Sequence, residues 1–176
     1  RQIRLHKAFQ NRALQIKTPP ASTFKPLVAL AALEAAPRRD ITPNTTYACY
    51  GRHVLKATRP GVPNAIYNCW NSGHGHNNIE GAIAHSCNVY FYQLGYHIGS
   101  KPIIRYAREF GMDKTTGIDL PGEIKGRVPD SRWKKLTFGN RWYDGDTLNL
   151  AIGQGFLQTT PMEMLVFFGA LVNRGK

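Results

Sequence analysis

Residues 22–36 are rich in alanine and leucine, with Leu27, Val28, Leu30, Ala31, Ala32 and Leu33 placed so that almost no polar face is left. A helix that is apolar all round must be enclosed by other elements rather than laid on a surface. This segment therefore predicts a core built around one buried helix. Pro19-Pro20 breaks the chain before it, Pro26 falls in the first turn where a missing N–H is tolerated, and Pro37 ends it. The chain can supply the enclosure. Of its 176 residues 42% are hydrophobic and they are spread along the sequence, which suits one domain or the larger part of one.

The other segments are less regular. Residues 1–18 read as a basic, irregular lead-in. Residues 38–78 hold much Pro, Gly, Asn and Thr, with short strands expected around 46–50 and 66–70. A loop this long in a compact domain is usually functional or pinned by something. Residues 79–98 return to helical spacing, with Ile83, Cys87, Tyr90, Phe91 and Leu94 every three or four residues and Gly99 as the stop. A short amphipathic helix is expected over 103–110. Residues 112–146 read mostly as loop, with Asp144-Gly145-Asp146 as a turn. The last helix, 161–173, has a clear start: Thr160 as N-cap, Pro161 at the first position and Glu163 completing a capping box. No run of eighteen apolar residues is present, so no segment reads as spanning a bilayer.

Ser22 and Lys25 share the first turn of the buried helix. Serine at a helix start commonly caps free backbone N–H groups, and a capping box would place Glu or Gln three residues on. Lys25 stands there instead. A cation in the first turn opposes the helix dipole, at a cost of roughly 0.3–1 kcal/mol. Chemistry explains it better than stability does. Residues three apart lie on one helix face, so the amine can reach the hydroxyl. Burial and the dipole favour the neutral amine, the form able to take a proton. The free N–H groups of the same turn can polarise a carbonyl under attack. Ser22 is thus a candidate nucleophile and Lys25 its candidate base. Ser86-Cys87-Asn88, placed on the later helix, supplies a second polar set.

Three cysteines cannot all pair within one chain. Cys49, Cys69, His74 and Cys87 form a potential Cys₃His set, the ligand types that tetrahedral structural zinc accepts. Four residues separate Cys69 from His74, which lets a short glycine-containing turn bring both to one ion. Such a clamp would tie the irregular 38–78 segment to the stretch carrying Ser86 and Asn88. Buried free cysteines or one disulfide fit the same count, and His76 and His85 are alternative ligands. Trp70, Trp133, Trp142 and Tyr143 suit either a core rim or the lining of a groove.

The pairing of Ser-x-x-Lys with a downstream Ser-x-Asn resembles the penicillin-binding proteins and serine β-lactamases. The resemblance runs further. Pro20-Ala21-Ser22-Thr23-Phe24-Lys25-Pro26 is similar to the active-site stretch of the transpeptidases. Ala84-His85-Ser86-Cys87-Asn88-Val89-Tyr90-Phe91-Tyr92 is similar to their second-motif helix. Thr116 to Glu123, Ala151-Ile152-Gly153-Gln154-Gly155 and Thr159 to Met164 complete the likeness. Together these stretches most resemble the class B penicillin-binding proteins of the cell-elongation type, the penicillin-binding protein 2 group. That resemblance implies a mixed α/β transpeptidase fold of which residues 1–176 are mainly the helical part, with the sheet largely outside. It implies a peptidoglycan D,D-transpeptidase in which Ser22 attacks D-Ala–D-Ala stem peptides, Lys25 is the general base, Ser86 passes the proton to the leaving amine and Asn88 holds Lys25 and the substrate amide. β-Lactams would stall at the acyl stage. Relatives of this type can also hold zinc at the Cys49, Cys69, His74 and Cys87 positions; no cofactor is needed for the catalysis. A membrane anchor upstream, a site on the periplasmic side of the inner membrane, and partnership with a membrane glycan polymerase and the elongation complex are implied too. The family's third motif, Lys-Thr-Gly or Lys-Ser-Gly, is expected beyond Lys176, since Lys114-Thr115-Thr116-Gly117 is one residue too long.

The formal charge of +12 would suit a polyanion. The basic residues do not cluster as nucleic-acid binding expects, however. Arg38-Arg39 and Lys134-Lys135 are short pairs, and the densest stretch is Arg1 to Lys17. A solvated basic face is the simpler reading. The competing readings are a serine β-lactamase or β-lactam sensor, a non-catalytic zinc-stapled basic binding module, and a degenerate transpeptidase that only scaffolds partners. The module does not account for Ser22 and Lys25 occurring together with Ser86 and Asn88.

Overall fold

The computed structural model describes residues 10–35 and 40–175. The first half of the basic lead-in, the expected helix stop at Pro37 and the Arg38-Arg39 pair lie outside the described residues. Eight α-helices and four short strands are present among the described residues: α1 (Arg12–Gln15), α2 (Lys25–Glu34), β1 (Tyr47–Cys49), β2 (Arg52–Leu55), β3 (Ala65–Asn68), β4 (Gly75–Asn77), α3 (Ile79–Ala84), α4 (Asn88–Ile98), α5 (Ser100–Glu109), α6 (Ser131–Phe138), α7 (Asp144–Ala151) and α8 (Pro161–Val172). A 3₁₀ turn, Ala21–Phe24, leads into α2. None of the helices is long and apolar enough to cross a membrane.

The apolar α2 is enclosed as its composition requires. Leu27, Val28, Ala31 and Ala32 have no exposed surface, and the helix packs against α4 and α5. The second enclosed element is α4, which buries Val89, Tyr90, Phe91, Leu94 and Ile98. It lies closely along α7: a Cβ placed on Gly95 would come within 2.4 Å of the Ala151 Cβ. Glycine is what permits that approach. Gly99, with φ of +75°, both ends α4 and begins α5.

The described part of the irregular segment, residues 40–78, folds into two antiparallel ribbons, one nested inside the other. β1 pairs with β4, Ala48 opposite His76, and within that excursion β2 pairs with β3, Val54 opposite Ile66. Strands expected near 46–50 and 66–70 are present, and their partners were not foreseen. The helical stretch 79–98 is broken in two between Ala84 and Asn88. Residues expected as loop hold α6, capped by Asp130 accepting from the Trp133 N–H, and α7. The Asp144-Gly145-Asp146 turn is the first turn of α7, with the Asp146 carboxylate accepting the Tyr143 N–H. An ion pair between the buried Lys134 and the partly buried Asp146 joins these two helices. The polar faces of both had obscured their period.

The capping box of α8 forms as expected. Glu163 is 1% exposed and accepts from the backbone N–H of Thr160 and of Gly126, each at 2.7 Å. Removing the carboxylate strands two buried donors, so Glu163→Ala is expected to lower stability by about 2 kcal/mol. Urea unfolding of the two proteins measures this directly, and a change below about 0.5 kcal/mol would mean that water replaces the carboxylate.

Candidate active site

Lys25 is one of the largest fully buried side chains described, 1% exposed. Its Nζ donates to the Ser86 carbonyl at 2.7 Å and to the Asn88 Oδ1 at 2.7 Å, and lies 3.1 Å from the Ser86 Oγ. The Phe91 ring stands 5.6 Å from the same nitrogen. The two sequence motifs, 61 residues apart, thus meet at one ammonium group. Desolvation lowers the Lys25 pKa to about 8, with the neighbouring Cys69 and Cys87 sulfurs acting in the other direction. A neutral amine is therefore within reach near physiological pH, and in that state the Ser86 hydroxyl can donate to it.

Ser22 sits in the 3₁₀ turn just ahead of Lys25 and is exposed. Its side chain caps neither that turn nor α2, whose N-cap positions are Pro20 and Phe24. The ordinary reason for a serine at a helix start does not apply here. Its backbone carbonyl accepts the Lys25 N–H. Ala21, directly before it, has φ of +51° and donates its N–H to the Gly153 carbonyl at 2.8 Å. A Cβ on Gly153 would stand 2.2 Å from the Ala21 carbonyl oxygen, with φ of +69° as a second obstacle. The Gly153-Gln154-Gly155 stretch thus lets the turn after α7 press against the turn bearing Ser22.

Ser86 is not inside a helix, contrary to the helical spacing. α3 ends at Ala84, and the Cys87 N–H reaches back to the Ala82 carbonyl at 2.9 Å, closing a Schellman-type turn with Ser86 at φ of +50°. Glycine is the usual residue at that position. Asn88 begins α4 with Cys87 as its N-cap, the sulfur accepting from the Tyr90 N–H at 3.4 Å. The periodicity ran through the break because Ile83, Cys87 and Tyr90 keep helical spacing across it.

Trp70 was read as core rim or groove lining. It is 66% exposed, and its indole N–H is shared between the carbonyls of His85 at 3.1 Å and Ser86 at 3.2 Å. It therefore anchors the same carbonyl that receives Lys25. No sequence signal beyond its place next to Cys69 pointed to this. Trp133 and Trp142 are half-buried, Trp142 against the main core.

Cys49, Cys69, His74 and Cys87 converge behind the turn, their ligand atoms all within 4.8 Å of one another. The His74 Nδ1 lies 3.5 Å from the Cys49 sulfur and 3.6 Å from the Cys69 sulfur. Tetrahedral zinc with ordinary bond lengths would hold sulfur and nitrogen about 3.6 Å apart. The three thiols are free. The residues therefore fit the ion in type, number and spacing. Burial pushes the Cys87 thiol up to about 12, so without a cation it stays protonated. For Cys69 burial acts in the same direction, but the backbone N–H groups of Val89, Asn71 and Asn88 outweigh it and the thiol is lowered. His76 is exposed on β4. His85 stacks on His74, ring centroids 5.8 Å apart, and its Nδ1 meets the Asn77 Oδ1; neither belongs to the cluster.

Residues 2–176 match the penicillin binding protein transpeptidase domain, and the chain belongs to that family. Among curated relatives it is 39% identical over 166 residues to the peptidoglycan D,D-transpeptidase MrdA of Salmonella typhimurium, covering 94% of this chain and 26% of that protein. Among solved structures it is similar to Pseudomonas aeruginosa PBP2 in complex with WCK 5153, with a TM-score of 0.83 and 36% identity over 95% of this chain and 36% of that one. It is similar also to PBP2 in the Helicobacter pylori complex with MreC, with a TM-score of 0.85 and 35% identity over 97% of this chain and 30% of that one. The chain spans about a quarter of the length of the curated relatives it matches.

The left-handed backbone at Ser86 separates strain from side-chain chemistry. Relief of that strain makes Ser86→Gly more stable than Ser86→Ala by about 1 kcal/mol, although both lose the hydroxyl. Thermal unfolding of the two variants tests this; equal stability would mean that the turn relaxes out of the left-handed region.

Proposed function

We propose that this chain carries the acyl-transfer residues of a peptidoglycan D,D-transpeptidase of the cell-elongation type. The observation that carries the reading is the burial of Lys25 against Ser86 and Asn88, directly after a turn bearing the exposed Ser22, whose side chain caps no helix. Lys25, as the neutral amine, takes the Ser22 proton while the Ser22 oxygen bonds to the penultimate D-Ala carbonyl of a stem peptide. The C–N bond to the terminal D-Ala breaks, and its nitrogen receives the proton through Ser86. The amine of a second stem peptide then attacks the ester carbonyl, the bond to the Ser22 oxygen breaks, and the proton lost by the amine returns to Ser22 through Lys25, leaving a cross-link. Asn88 holds the Lys25 head and the substrate amide. A β-lactam carbonyl acylates Ser22 in the same way, and its amine cannot diffuse off. The remaining oxyanion donors come from the Lys-Thr-Gly or Lys-Ser-Gly strand, assigned to a segment after residue 176, so residues 1–176 are part of the domain rather than all of it.

The Cys49, Cys69, His74 and Cys87 cluster holds structural zinc in this reading. Four protein ligands leave no open position, so the ion supplies rigidity and not chemistry. By likeness to the relatives, the whole protein is anchored in the inner membrane and works on its periplasmic side beside a membrane glycan polymerase. The solved H. pylori complex supports an MreC-type partner.

Intact-mass measurement of the full-length protein after incubation with a penicillin is expected to show one stable adduct on the wild type and none on Ser22→Ala. No adduct on the wild type would remove the catalytic reading, and rapid loss of the adduct would point to a lactamase. Because protonated Lys25 is inactive as a base, the acylation rate should rise with pH and level off above about 8. Below that it should fall about tenfold per pH unit. A flat profile would assign the base elsewhere. Elemental analysis of the same protein should give one zinc per chain, lost together with several degrees of unfolding temperature in Cys69→Ser. A metal-free wild type of unchanged thermal stability would reduce the cluster to packed thiols.

A further inference from the structure

A second concavity lies away from the Ser22, Lys25, Ser86 and Asn88 set, which contributes nothing to its walls. It is a cavity of about 780 Å³ between the outer face of α5, the start of α6 and Trp142. That volume is within the range of small-ligand sites. Its floor is apolar, from Ile104 and the half-buried Trp142. The Trp142 indole N–H is occupied by the Thr147 hydroxyl at 2.9 Å, which fixes the ring as a wall.

The rim is cationic, and its cations differ in how they are satisfied. Arg108 is balanced by Asp130 at 2.8 Å and Asp113 at 3.5 Å, and Arg105 by Glu109 at 3.5 Å. Lys101 and Lys114 line the same cavity, are exposed, and have no ion-pair partner among the described residues. They stand near opposite ends of α5 in the chain. Lys101 stands in the first turn of α5, and Lys114 follows Gly111 beyond the helix's last turn. At 1.5 Å per residue, α5 from Lys101 to Arg108 covers roughly 10 Å, the length of about three extended peptide residues.

We propose that this cavity binds a short acidic peptide, with two carboxylates meeting Lys101 and Lys114 and an aliphatic body resting on Ile104 and Trp142. A neutral ligand would gain nothing from the two ammonium groups, and a single anion would meet only one of them. The apolar floor favours a ligand with an aliphatic middle over a compact inorganic anion. α5 packs directly on α2, so the ligand would lie one helix away from Lys25. The proposal stands on this geometry and does not depend on the acyl-transfer reading.

The probes are the blocked tripeptide acetyl-Glu-Leu-Glu-amide and its neutral analogue with Gln in place of each Glu, titrated by calorimetry into the full-length protein. The acidic peptide is expected to bind, the neutral one at least ~10-fold more weakly. The double variant Lys101→Gln/Lys114→Gln should lose a similar factor while still forming the penicillin adduct, which reports an intact fold. Ser22→Ala and the penicillin-acylated protein should bind the acidic peptide unchanged. Equal binding of both peptides, or binding unaffected by the lysine changes, would overturn the proposal. Loss of binding on acylation would place the peptide in the Ser22 site and overturn it as well. Equal competition by inorganic polyphosphate would show that charge alone is recognised and refute the carboxylate-peptide assignment.

Discussion

The fold of this chain is organised around one buried ammonium group. Lys25 sits where two stretches of chain meet, with Ser86 and Asn88 accepting from its head. Taking a charge out of water is expensive, and the expense is recovered only while the acceptors stay in place. Any displacement of the Ser86 turn strands the cation, and any unwinding of the α2 start withdraws it. The position of α2 and the start of α4 are therefore set together. The lowered pKa of Lys25 has its main cause in the same burial, which works against the charged form. A group so poised can exchange a proton near neutral pH, which a solvent-exposed lysine cannot do.

The backbone around this group is strained where the chemistry is proposed. Ala21 and Ser86 both have positive φ without being glycine. Such residues persist only where the surroundings over-determine them. For Ala21 the surroundings are the Gly153 turn, which hydrogen-bonds it and would clash if it carried a side chain. For Ser86 they are the Schellman-type closure below, the Trp70 indole above and Lys25 in front. Three contacts from three parts of the chain converge on one carbonyl-bearing turn. A glycine there would be easier on the backbone and would lack the hydroxyl.

What the sequence disclosed and what it hid follow from the range of the interactions. The all-apolar stretch of α2, the box at Thr160 and Glu163, and the Ser22–Lys25 spacing are set within one or two turns of chain, and they are legible there. The cysteine–histidine set was legible because few residue types serve that purpose. The break at residues 85–87 was not, since apolar spacing continues across it and the left-handed Ser86 leaves no compositional mark. Nested ribbons hide for a different reason. β1 finds β4 across the whole β2–β3 excursion, and strands of three or four residues carry too little alternation to announce a partner. In α6 the buried Lys134 stands where a hydrophobic residue would have shown the period, because its partner is Asp146 on the next helix. Trp70 could not be placed between rim and groove from the sequence, because it is held at the surface by backbone carbonyls that only the fold brings near.

The cysteines occupy positions that hydrophobic residues could not fill equally well. α4 begins inside the protein, and a buried helix start presents N–H groups that water cannot satisfy. Sulfur meets that need twice. Cys87 accepts from Tyr90, and Cys69 takes its lowered pKa from the N–H groups of Asn88 and Val89. The residue whose amide oxygen holds Lys25 is thus also one of the backbone donors that lower the Cys69 pKa. A thiolate is the stronger acceptor of the two forms, and it is the form a cation at the cluster would impose. Binding at the cluster would therefore tighten the start of α4, and with it the position of Asn88, without any ligand approaching Ser22. A long irregular excursion is in this way made part of the site: its ends close on each other, and its thiols close on the helix that completes the Lys25 contacts.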